Sequence, residues 1–168
     1  MIKEITEFIE NLTLGPPWAI GANLFAGHVP VKTQAGADTP ERYLAVLENA
    51  GGTKLENVGG VVTIPPRTPP SVPGDTTYWP EYVEKAVQLL NRAKSYFVAR
   101  DDAYDIYDYL RETAGWSLGL GGVGDPKYVA IVVDAYGPPA PVENPGERGL
   151  FTFSTNYMWK IEETSCGV

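Results

Sequence analysis

The chain of 168 residues has one cysteine and one histidine. A single cysteine, Cys166, excludes a disulfide within the chain and any cysteine-built zinc centre, and it suits a reducing compartment. It reads as an inert residue of the tail. A single histidine, His28, leaves the common zinc sites and nucleophile triads without their parts. Between Gly27 and Pro30, at the expected end of a strand, His28 reads as a hydrogen-bonded structural residue.

Positive charge is also scarce. The chain has 13 lysines and arginines against 21 aspartates and glutamates, a net charge of −8. Such a surface repels phosphate, which argues against free nucleic-acid binding but not against a surface past which DNA slides. No apolar run approaches the roughly 20 residues needed to cross a bilayer. The opening Met1-Ile2-Lys3-Glu4 lacks the basic and apolar segments of a secretion signal, so folding in a cytoplasm is expected. There is no Gly-x-Ser-x-Gly elbow and no Gly-x-x-x-x-Gly-Lys phosphate loop.

Apolar residues make up 43% of the chain, enough for a folded core, and the length fits one domain spanning 1–168. Ile2, Ile5, Phe8, Ile9 and Leu12 recur at helical spacing, which predicts an amphipathic helix over 2–13, stopped by Gly15, Pro16 and Pro17. Residues 23–29 predict a short strand. Tyr43–Leu47 is an apolar run of strand length that suits a strand covered on both faces. Ser95 is placed to cap a helix through Thr113, with Tyr96, Ala99, Ala103, Ile106, Tyr107 and Leu110 as its apolar stripe. Tyr128–Val133 predicts a β-branched strand. Leu150–Ile161 alternates, with Phe151, Phe153, Tyr157, Trp159 and Ile161 on one face. Residues 162–168 are expected to be a flexible tail.

Residues 50–79 hold five glycines and five prolines, and the run Pro65-Pro66-Arg67-Thr68-Pro69-Pro70 fits neither helix nor central strand. This predicts a long loop, 50–80, in which Leu55–Val58 and Val61–Ile64 could form a small hairpin across Gly59-Gly60. Residues 138–145 predict a second exposed loop. Residues 81–93 support either helix or strand by periodicity. The expected class is α+β: a mixed or mostly antiparallel sheet of four to five strands, with two main helices on one face and long Pro/Gly-rich loops.

Three groups of residues invite a chemical reading. Gly119-Leu120-Gly121-Gly122-Val123-Gly124 has the letters of a dinucleotide fingerprint. It follows a predicted helix and leads into a strand, the reverse of what pyrophosphate binding at a helix start requires, so a plain turn is favoured. Asp101, Asp105, Asp108 and Glu112 share one helical stripe. A metal site or acid–base pair is one reading, and the solvated back of an amphipathic helix is the favoured one. Trp18, Trp116 and Tyr78-Trp79-Pro80 lie beside glycine or proline and read as core anchors or as aromatic contact residues.

The succession of elements resembles a family. The segments that carry the likeness are Asn23–Pro30 after the N-terminal helix, a strand ending in Leu47-Glu48-Asn49-Ala50-Gly51-Gly52, the tyrosine-rich acidic helix Ala103–Leu110, then Tyr128–Ile131 and Phe151–Tyr157. Together they are similar to the minor capsid and tail-terminator (tail completion) proteins of long-tailed bacteriophages. The family has a strand before the tyrosine-rich helix, which favours a strand at 84–93. Residues 51–79 are longer than the family's usual connection.

The resemblance implies a structural virion protein of the tail and neck, assembled in the host bacterial cytoplasm. It implies a homo-oligomeric ring, commonly of six copies, that ends the tail tube and contacts the tube protein and the head–tail connector or neck proteins. DNA would pass through the ring without specific binding, and there would be no catalysis, cofactor, metal or membrane. The expected subunit contacts are Ile64, Pro66, Arg67, Tyr78 and Trp79, with Arg67 of one copy against Asp101, Asp105 and Asp108 of the next. Three alternatives stand beside this: another neck component, such as a head-closure or connector protein; a small acidic ligand- or metal-binding enzyme domain; and a generic cytoplasmic domain with no phage link.

Overall fold

The computed structural model describes residues 2–30, 32, 36–48, 82–111, 114–118, 128–142 and 149–163, with backbone alone at 82, 83, 116, 131, 162 and 163. Its elements in chain order are α1 (Ile2–Glu10), β1 (Leu24–Ala26), β2 (Tyr43–Glu48), β3 (Tyr82–Ala93), α2 (Tyr96–Leu110), β4 (Trp116–Leu118), β5 (Tyr128–Ala135), β6 (Ala140–Pro141) and β7 (Phe151–Glu163). All strands belong to one seven-stranded sheet in the order β1-β2-β3-β7-β5-β4, with β6 also paired to β7. Only β1 and β2 run parallel; every other pair is antiparallel. The class is therefore α+β as expected, but with more strands than the four to five anticipated.

The period-2 ambiguity of residues 81–93 resolves as strand. β3 pairs with β7 without a break from Tyr82↔Glu162 to Ala93↔Phe151. Val87 and Leu89 are buried on the face that also carries Tyr157, Trp159 and Ile161 of β7 and Leu44 and Val46 of β2. Both helices lie on this face: Ile5, Ile9 and Leu12 from the α1 segment and Ile106 and Leu110 from α2 join the same cluster. Phe8 meets Trp159 edge to face at 6.0 Å. Each such aliphatic side chain taken from water contributes about 2 kcal/mol, so this face is the main source of stability.

Among the described residues, the opposite face is covered at one end. There Phe25, Tyr43, Ala45 and Leu150 form a smaller cluster with Leu47 and Leu90 at its margin. Tyr43, Leu44, Ala45 and Val46 are consequently all buried, as the apolar run over Tyr43–Leu47 predicts. Further along, the outer face turns polar, and the Gln88 amide donates to Ser154 Oγ at 2.9 Å.

Several boundaries differ from expectation. α1 stops at Glu10, and Leu12 closes the segment by donating its backbone N–H to Ile9 O. α2 ends at Leu110, and Ser95 sits at its N-cap without a side-chain capping bond. Strands β4 and β6 were not anticipated: three and two residues are too few to show a period, and β6 contains Pro141, tolerated at a sheet edge. β5 has a bulge between Ala130 and Val132, which lets both Ala130 and Val133 point into the core although they are three residues apart. β7 continues to Glu163, so residues 162 and 163 are strand where a tail is expected; residues 164–168 lie outside the described residues, as do the hairpin expected over 55–64 and the whole of loop 50–80.

Leu89 is 1% exposed and pairs with Val46 on one side and Thr155 on the other. Leu89→Ala is expected to cost about 2–4 kcal/mol through lost burial and the cavity left behind. Urea denaturation should show a lower midpoint at unchanged slope.

Candidate assembly interface

α2 has two sides with different work. Its inner side carries Ala99, Asp102, Ala103, Ile106 and Leu110, all buried. Asp102 is 5% exposed yet ionisable, and it is matched by Arg42 at the start of β2. The guanidinium donates from Nε to Oδ2 at 2.8 Å and from Nη2 to Oδ1 at 2.6 Å, a bidentate fork that satisfies the carboxylate. Gly15, at φ +64°, passes close by; a Cβ there would lie 3.6 Å from Asp102 Oδ1. That distance is ordinary contact, so it is the left-handed backbone that favours glycine here. This fork and the apolar residues fix how α2 is rotated on the sheet, and hence which side chains face outward.

The outer side carries the acidic stripe. Asp101, Asp105 and Asp108 are all exposed, as the solvated reading expects. Two of them are partnered within the helix. Arg100 donates to Asp101 Oδ1 from Nε at 2.9 Å and from Nη2 at 2.8 Å, and Arg111 lies 3.1 Å from Asp108. Asp105 has no ion pair among the described residues. No group of three or more His, Cys, Asp or Glu is placed to hold a metal ion among the described residues.

Aromatic rings lie among these charges. Phe97 is 63% exposed, and Tyr96, Tyr104 and Phe151 are each more than a third exposed. Tyr96 contacts Phe97, Phe151 and Phe153 edge to face, with centroids 5.6, 5.8 and 5.2 Å apart. Arg100 lies over the Phe97 ring at 5.3 Å, and Arg111 over Tyr107 at 5.2 Å. Ring anchors braced by arginines, with ion pairs around them, have the composition of a protein contact surface.

The remaining candidates disperse. His28 is exposed at the end of β1. Trp18 is 3% exposed and anchors the core, as the first of its two readings has it. Trp116 lies on β4. Ile64, Pro66, Arg67, Tyr78, Trp79, Glu112, the Gly119–Gly124 turn and Cys166 lie outside the described residues. Tyr157, at the centre of the core, has its phenol pushed well above the ordinary range by burial, so it stays neutral and acts as packing. Glu48, at the end of β2, is held below the usual carboxylate range by the hydrogen bond and charge of Lys85. No helix among the described residues is long and apolar enough to cross a membrane.

Sequence reasoning missed Asp102 and Phe97. Asp102 lies one turn from Ala99 and Ile106 on the buried side, and that phase could have separated it from Asp101. Phe97 falls off the apolar stripe by a quarter turn, a phase that already points an aromatic ring at solvent. No family model matches the chain, and comparison with curated proteins and with solved structures finds no match.

Arg42→Met leaves Asp102 buried without its cation and is expected to cost about 2–3 kcal/mol, reduced from a fully buried pair because Arg42 is partly exposed. Arg42→Met combined with Asp102→Leu should recover most of that loss. A double-mutant cycle by thermal or urea unfolding measures both.

Proposed function

We propose that the chain is a structural virion protein that caps the tail tube of a tailed bacteriophage and joins it to the head or neck. It acts as a ring of identical copies, six by analogy with the family it resembles, in contact with the tube protein and with connector or neck proteins. The observation that carries this reading is the exposed aromatic surface of α2, built from Phe97, Tyr96, Tyr104 and Phe151. A surface of that kind on a small acidic protein is explained by a protein partner.

The order of elements supports the same reading. An N-terminal helix, two strands, a long strand leading into the tyrosine-rich helix, and the strands Tyr128–Ala135 and Phe151–Glu163 follow the succession that suggested the family, while residues 51–79 are longer than its usual connection. The charge suits a passage for DNA. At −8 per copy, a ring gives a strongly negative assembly whose lumen repels the duplex and lets it slide.

Purified chain mixed with purified tail tubes of the same phage should appear by electron microscopy as added density at one tube end. Phe97→Asp should reduce the capped fraction at least about tenfold, the effect of losing one anchor, while the thermal midpoint stays within a few degrees. Binding to filled heads in preference to tubes would make the chain a head-closure protein. Binding to neither would remove the virion reading.

A further inference from the structure

The outer face of α2 is polarised across its width. At 3.6 residues per turn, Arg100, Tyr107 and Arg111 fall on the flank shared with Tyr96, whose ring packs on Phe151 and Phe153 of β7. Asp105 falls toward the other flank, the one shared with Asp102, which is bonded to Arg42 of the β2 side, while Asp101 lies beside Asp108 near the middle of the face. One edge is therefore basic and aromatic, and the other is acidic. Phe97, Tyr104 and Asp108 run between them.

Such a face has a complement in a second copy of itself. In an antiparallel two-fold pair, like flanks meet, arginine against arginine and aspartate against aspartate; in a parallel two-fold pair unlike flanks meet, but both flanks are used and the assembly closes at two copies. In a side-by-side, head-to-tail arrangement, the basic flank of one copy meets the acidic flank of the next, and each copy keeps one flank of each kind free for a further neighbour. The valences also match. Arg100 uses Nε and Nη2 on Asp101, so Nη1 still has donors to give. Asp105 has an exposed carboxylate with no ion pair among the described residues.

We infer that α2 is the head-to-tail contact between copies of this chain, with Arg100 and the Phe97 ring of one copy against Asp105 and Asp101 of the next. The inference rests on the reading of α2 as an assembly surface and adds its partner and polarity. It supplies the basic partner of the acidic stripe from α2 itself, where Arg67 was the expected one.

Sedimentation of the full chain up to about 1 mM tests it, a range that detects contacts as weak as millimolar. The wild type is expected to associate beyond two chains. Arg100→Glu and Asp105→Arg should each weaken association by about tenfold or more when alone. An equimolar mixture of the two variants should associate again, because each retains one native flank and the altered flanks also match. A misfolded variant could not recover on mixing. A wild type that stays at one or two chains at about 1 mM, association that neither variant weakens, or a mixture that fails to recover would overturn the head-to-tail contact. If charge rescue holds but tubes are never capped, the contact stands and the tail reading falls. If Arg100→Glu caps tubes as the wild type does, the tail reading stands and the contact falls.

Discussion

The pairing of β3 with β7 is the constraint from which the rest follows. It runs without a register shift from Tyr82↔Glu162 to Ala93↔Phe151. A slip of one residue would turn Tyr157, Trp159 and Ile161 to the outer face and expose the largest side chains of the core. Because the register holds, one face of the sheet is mainly apolar from β2 to β5, with Asn91 and Thr155 the buried polar residues on it, and both helices lie there. Among the described residues, the side chains that cover the outer face gather near Phe25, Tyr43 and Leu150.

On that platform the orientation of α2 is set by a mixture of forces. Ala99, Ala103, Ile106 and Leu110 would tolerate some rotation about the helix axis, as small and aliphatic side chains repack readily. The fork between Asp102 and Arg42 does not, since it holds two hydrogen bonds in one plane. Its worth to stability is modest, because taking charges out of water costs much of what their attraction returns. Its worth to geometry is larger: it determines that Phe97 and the aspartate stripe face outward together.

How much could be read from residues alone varied with length and regularity. The alternation over Leu150–Ile161 and the helical spacing over Ile2–Leu12 are long enough to show their period, and β7 and α1 follow them. β3 alternates in a way a helix could also satisfy, since Val87 and Leu90 suit one period and Val87 and Leu89 the other; only the tertiary pairing decides. β4 and β6 are defined by their neighbours rather than by their own residues. The acidic stripe was legible as an exposed stripe. The aromatic surface around Phe97 was not, because it is assembled from α2 and β7, which are far apart in sequence. Most of the proline-flanked residues expected to make contacts lie outside the described residues, so they neither add to nor subtract from the interface on α2.

The position of β7 in the sheet has a bearing on how the protein is made. It is the last strand in chain order, yet it lies between β3 and β5. Until the ribosome has released residues up to about 163, those two strands have no mutual pairing and each offers a bare row of backbone amides and carbonyls to any extended chain nearby. The nascent polypeptide thus carries one adhesive margin once β3 is complete and a second once β5 is complete, and both are extinguished by the insertion of β7. Where many copies are translated together, the speed of that insertion governs how much material reaches the native sheet and how much is lost to tangled polysomes.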